Sequence, residues 1–323
     1  MLYKRRDFGK IALAGTAVSR MAAKPNSVFG GVQIGAITYS FRALPGSAEE
    51  VLRYCLECGI SAIELMSNVA ESYAGAPSQA GRGLRPGGGR TPMTQEQRVA
   101  MQKAAEEMKR WRLSVSMDKY KTFRKMYEDA GVQVYAFKLP PTLAMSGQEY
   151  DYIWNAGETL GANHITMELP TDDALLQRVA EYAAKRKLRI AFHTHGQGGS
   201  SGFEKALGAS NYTALNLDVG HYYGVNGQSP VPVIEKYHNR IASLHLKDRK
   251  GPGSAAGNQS PSSGGPNMPW GQGETPLKEI LRLMKKQRYK FPASIEYEYN
   301  TPEGSDVLTE VKKCVQFCKE SLS

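Results

Sequence analysis

ALNLDVGHYYGVNGQSPVPVIEKYHNRIASLHLKD, residues 214–248, contains one full repeat of the rhythm that decides the fold. A β-rich run ending in polar residues (214–222) gives way to a helical pattern, VPVIEKYHN, and then to a second β-rich run, IASLHLKD (241–248). The same alternation continues in both directions from Gly31 onward. The further runs are VQIGAITYS (32–40), AIELM (62–66), VQVYAFKL (132–139), HITMELP (164–170), RIAFHTH (189–195) and ASIEYEY (293–299). Eight strands separated by amphipathic stretches, with a helix last, predict a single-domain α/β protein: a closed (β/α)8 barrel, the TIM barrel, over residues 31–323. An open doubly wound sheet is the alternative.

Composition agrees with a large packed core. The 323 residues are 41% hydrophobic and 22% charged, and no apolar run approaches the ~18 residues of a membrane span, so stable membrane insertion is not expected. The net charge of +10 is partly terminal: residues 1–23 contain Lys4, Arg5, Arg6, Lys10 and Arg20 against Asp7 alone. The rest shows no run of five or six like charges, so a nucleic-acid partner is not expected. Assembly into a homo-oligomer is compatible with this composition.

The first 30 residues resemble a twin-arginine signal peptide and linker. A basic start, the Arg5-Arg6 pair and Phe8 precede a short, weakly apolar Ile11 to Val18 segment. That implies export to the periplasm. Cys55 and Cys58, and Cys314 and Cys318, are spaced to share buried helix faces, which favours core packing, with a disulfide between the two helices left open. Two Gly/Pro/Ser-rich segments, 73–92 and 250–270, follow strands two and seven, where barrel loops ring an active site, and are candidate lids. Trp270 closes the second one, as a sugar-stacking platform or a hydrophobic clip.

The chemistry lies at the strand ends. Strand four ends with Glu168, strand five with His193 and His195, strand six with Asp218 and His221, strand seven with His245 and Lys247, and strand eight with Glu296 and Glu298. Such groups converge at the C-terminal mouth of a barrel. Carboxylates and imidazoles crowded into one cavity call for a neutralising cation, and oxygen and nitrogen donors without thiolate suit Mn2+, with Zn2+, Co2+, Fe2+ or Mg2+ as alternatives. Glu64 and Lys138 on strands two and three are either substrate-binding groups or a structural ion pair. His164 and His238 read as structural.

The motifs LDVGHY, LHLKD, SIEYEY and FHTHGQ, in a barrel spanning most of 31–320, resemble the xylose isomerase-like TIM barrel family of sugar phosphate isomerases and epimerases. The resemblance implies one metal ligand from each of strands five to eight, in the order Glu, Asp, His, Glu. Asp218, His245 and Glu296 match the last three. His193 stands where the first glutamate is usual, in an HxH subgroup pattern, and Glu168 is the neighbouring carboxylate that would restore the charge. The implied activity is proton abstraction next to a carbonyl of a small-molecule carbohydrate that is not phosphorylated. Glu296, His195 and His221 are then the candidate bases, Lys247 holds developing charge, and Glu64, Lys138, Glu298 and Trp270 contact substrate. A 3-keto-glycoside lyase or hydratase is the competing reading. An endonuclease-type hydrolase, which would carry more histidines on strands two and three, and a non-catalytic sugar-binding barrel rank below it.

Overall fold

The computed structural model describes residues 24–77, 94–195, 200–254 and 264–323. Eight parallel strands form the barrel: β1 Val32–Ile37, β2 Ala62–Met66, β3 Gln133–Lys138, β4 His164–Glu168, β5 Arg189–His193, β6 Thr213–Asp218, β7 Ile241–Leu246 and β8 Ala293–Ile295. Strand β1 pairs with β2 on one side and with β8 on the other, Ser294 lying opposite Gly35. The sheet therefore closes, as the strand and helix count predicts, and the open-sheet alternative falls.

Strands covered on both faces read as nearly continuous apolar runs, and β6 and β7 are buried at every position. Helices α1 Ala48–Cys58, α2 Ser67–Tyr73, α3 Gln95–Ser114, α4 Asp118–Asp129, α5 Gly147–Leu160, α6 Asp173–Arg186, α7 Ser200–Gly208, α8 Val219–Asn226, α9 Val231–Tyr237, α10 Leu277–Gln287 and α11 Val307–Leu322 surround it. Ser47, Thr94 and Ser146 start α1, α3 and α5 with reciprocal capping boxes, each using the Glu or Gln three residues on. The four cysteines are free thiols buried in α1 and α11.

Three boundaries differ from the sequence reading. Packing begins before Gly31: Ser27 Oγ donates to Ile34 O, and Val28–Phe29 pairs antiparallel with β1. Strands β1 and β8 stop at Ile37 and Ile295, because Thr38–Phe41 winds into a 3-10 turn beside the end of β8. Strand β6 stops at Asp218, which caps α8: its Oδ1 accepts from His221 N at 2.7 Å, so His221 belongs to the first turn of a helix. Residues 1–23, the 78–93 and 255–263 portions of the two Gly-rich segments, and 196–199 lie outside the described residues.

Two register shifts tune the interior. Tyr135 is the extra residue of β3 opposite Ile63/Glu64, and Ala242 that of β7 opposite Leu215/Asn216. At the N-terminal end of the barrel a cavity of about 530 Å3 is lined by Arg189, His238, Arg288 and Lys290. His238 and Arg288 are the C-cap residues of α9 and α10, and His238 Nδ1 lies 2.8 Å from Glu235 O.

Candidate metal centre

At the opposite end, the strand ends converge. Glu64 on β2 is fully buried, accepts from Thr166 Oγ1 at 2.7 Å and from Asn216 Nδ2 at 3.1 Å, and lies 2.6 Å from His245 Nε2. The other nitrogen, His245 Nδ1, is 2.5 Å from Glu296 Oε2. Burial opposes charge on all three groups, but their mutual attraction outweighs it: Glu64 falls to about 2 and His245 rises to about 10. In the metal-free protein His245 is thus an imidazolium held between two carboxylates.

His193, Asp218, His245 and Glu296 each present a donor atom within 4.8 Å of the others, and all four are buried. His193 Nε2 is 3.8 Å from Asp218 Oδ2. Lys247 lies against the same group, its Nζ 3.0 Å from Asp218 Oδ2, 3.2 Å from Glu296 Oε2 and 2.6 Å from Glu298 Oε2. Burial disfavours its charge, but these three carboxylates raise its pKa above the ordinary lysine value. Burial, together with Lys138, keeps His193 neutral.

The donor set fits a divalent cation. Two imidazoles and two carboxylates are grouped without thiolate, and among the described residues Asp218 Oδ2 and His193 Nδ1 are buried without a directed hydrogen bond. The charge balance agrees. Carboxylates Glu64, Glu168, Asp218, Glu296 and Glu298 exceed the cationic side chains of Lys138, Lys247 and Arg249 by two. The proton on His245 cancels one of these charges, and a divalent ion in its place would cancel two.

Other expected site residues take different positions. Glu168, expected to replace the missing strand-five carboxylate, is outside the four-donor group. It is half-exposed at the rim, 2.9 Å from Lys138 Nζ and 3.0 Å from His195 Nε2, because β4 carries it above the buried layer. Glu64 pairs with His245 rather than Lys138, at a depth closed to solvent. Glu298 is half-buried beside Lys247. Trp270 lies edge-on against Phe317 of α11, ring centroids 5.6 Å apart, in the position of a clip. His164 bonds Ser243 inside the barrel at 3.1 Å, and His238 stacks on Tyr289.

Sequence reasoning missed Thr166, Asn216 and Arg249. The first two were visible in principle: they lie two residues before Glu168 and Asp218, on the same strand face. Arg249 donates to His221 Nδ1 from the strand pair Asp248–Arg249 and Asn267–Met268, which carried no periodic signal.

Residues 174–318 match the model of the xylose isomerase-like TIM barrel family. Over 160 residues the chain is 28% identical to an inosose dehydratase of Clostridium botulinum, covering 46% of this chain and 53% of that protein, so the match spans about half the length of this curated relative. The fold resembles the probable 3-DHS dehydratase of Bacillus anthracis, with a TM-score of 0.58 at 15% identity, covering 88% of this chain and 98% of that one. It also resembles an L-ribulose 3-epimerase, with a TM-score of 0.54 at 13% identity, covering 90% and 94%. The chain is a closed eight-stranded barrel whose late-strand half, residues 174–318, is similar to the xylose isomerase-like TIM barrel family.

Proposed function

We propose that the protein is a metal-dependent carbohydrate enzyme that removes a proton from a carbon next to a carbonyl and returns it, isomerising or epimerising a sugar without phosphate. The observation that carries this reading is the buried group of His193, Asp218, His245 and Glu296 at the barrel mouth. A divalent ion held there, for which these donors suit Mn2+ and then Zn2+, Co2+, Fe2+ or Mg2+, would polarise the substrate carbonyl and stabilise the enediolate. Burial works against charge on Glu296, but Lys247 and His245 overcome it and hold the carboxyl well below the usual range, so it is an ionised proton acceptor. His195 is half-exposed with its Nε2 3.0 Å from Glu168, in a position to exchange a proton on the solvent side. Lys247 supplies fixed positive charge facing a substrate oxygen.

The ammonium groups of Lys138 and Lys247 are committed to carboxylates, which supports a substrate without phosphate. The paired arginines near the N-terminus support a periplasmic location, where such sugars are met.

A second reading shares the first step and ends in elimination, as in a lyase or dehydratase. The imidazole of His193 in place of a strand-five glutamate favours it, because that position then offers no carboxylic acid to return the proton. The relative described as an inosose dehydratase points the same way. Incubation of the Mn2+-loaded protein with free ketoses and with 3-keto disaccharides in D2O, followed by NMR and mass spectrometry, separates the outcomes. Deuterium entering next to the carbonyl with all atoms retained supports the isomerase, and loss of water or an aglycone supports elimination. No exchange in any of them overturns both.

A further inference from the structure

Arg249 is fully buried, and its guanidinium is hydrogen-bonded. Its Nε donates to Gly265 O at 2.9 Å and its Nη1 donates to His221 Nδ1. Its backbone is fixed as well, Arg249 N donating to Thr275 Oγ1 at 3.0 Å, and α8 packs so closely that a Cβ on Gly224 would lie 3.0 Å from Arg249 Nε. A guanidinium has donors only and stays protonated inside proteins. The lone pair of His221 Nδ1 must therefore be the acceptor, and the neutral ring must carry its proton on Nε2. That Nε2 faces the metal centre, 4.0 Å from Asp218 Oδ2, with the His195 ring stacked on the imidazole at 4.3 Å.

We infer that Arg249 is a positioning residue that locks His221 as the Nε2–H tautomer, making His221 a fixed hydrogen-bond donor to a substrate oxygen. It is then neither a base nor a metal ligand. Among the described residues, two groupings of donor atoms at the mouth are compact enough for an ion: His193, Asp218, His245 and Glu296, and the three histidines His193, His195 and His221. The tautomer removes the second, since neither nitrogen of His221 has a free lone pair. It also reduces the candidate imidazole bases to His195. The substrate role rests on the function proposed above, whereas the tautomer itself does not.

The test is long-range 1H–15N correlation NMR on the full chain labelled at histidine nitrogens, metal-free and loaded with Zn2+, with the His221 signals identified by their loss in His221→Gln. The expected pattern is a protonated Nε2 and a bare Nδ1 in both states, kept in Arg249→Lys and converted to mixed tautomers in Arg249→Met. A proton on Nδ1 of the wild type, or an unchanged pattern in a folded Arg249→Met, overturns the inference; the wild-type spectrum decides even if that variant does not fold. His221→Gln retains a donor where Nε2–H stood, and its Zn2+ affinity should stay within about 3-fold of wild type, well inside the effect of losing a ligand. A loss of about 10-fold or more makes His221 a ligand and overturns the assignment. These readouts use no turnover, so a failure of the proposed function leaves a different trace: no deuterium exchange with the tautomer pattern intact.

Discussion

Nε2 of His245 lies 2.6 Å from Oε2 of Glu64, and both side chains are closed off from solvent. A carboxylate behind a metal-facing imidazole fixes its tautomer and orientation and raises its basicity. Glu64 also accepts from Thr166 and Asn216, so its own position is fixed from two further strands. Glu64→Gln preserves the shape and removes the charge. It should weaken Mn2+ or Zn2+ binding about 10- to 100-fold in a calorimetric titration. Affinity equal to wild type would mean that Glu64 does not tune the site.

With Glu64 and Glu296 raising His245 to about 10, this ring must lose its proton before it can bind a metal. Loading the metal-free protein at pH 7 should therefore release about one proton per ion, measured as pH drift in unbuffered solution, and affinity should climb with pH until about 10. Metal uptake with no proton release would remove His245 from the ligand set.

His164 gives a separate pH signature. Burial, the dominant effect, lowers its pKa from an ordinary 6.5 to about 4 in the folded state. Because the folded value lies below the unfolded one, the neutral ring stabilises the fold fully above about pH 6.5, and that contribution shrinks as pH falls toward 4. The loss is up to about 3 kcal/mol. Denaturant midpoints should fall more steeply over this window in the wild type than in His164→Asn. Parallel curves would show that His164 takes up its proton as readily in the folded as in the unfolded state.

Gly220 lies where the start of α8 approaches Lys247. A Cβ added there would meet Lys247 Cβ at 2.6 Å and Lys247 O at 2.7 Å. Helix propensity favours Ala over Gly by about 1 kcal/mol, so a stabilised Gly220→Ala would be the outcome of an open position. The contact predicts the opposite: a lower melting temperature and weaker metal binding, because Lys247 and Asp218 are displaced together.

The barrel was legible because short β-rich runs ending in polar residues alternate with amphipathic helical stretches from Gly31 onward, and each rule is local. The four-donor group was legible for the same reason, since Asp218, His245 and Glu296 stand at the ends of consecutive strands. What local rules could not give was depth. Glu64 and Glu168 are both carboxylates near strand ends, yet one is sealed beneath His245 and the other is half-exposed against Lys138, a difference set by barrel stagger and by the bulge opposite Ile63/Glu64. Nor could they give the cross-loop bond of Arg249 to His221, which depends on how a long segment returns to the body.

The most direct test of the metal centre is the divalent-ion content of the purified full-length protein beside an Asp218→Ala/His245→Ala variant, both dialysed against Mn2+ and then against metal-free buffer without chelator. The arrangement of His193, Asp218, His245 and Glu296 predicts one ion retained per wild-type chain and none in the variant. Equal metal content in the two, or an empty wild type, would contradict it.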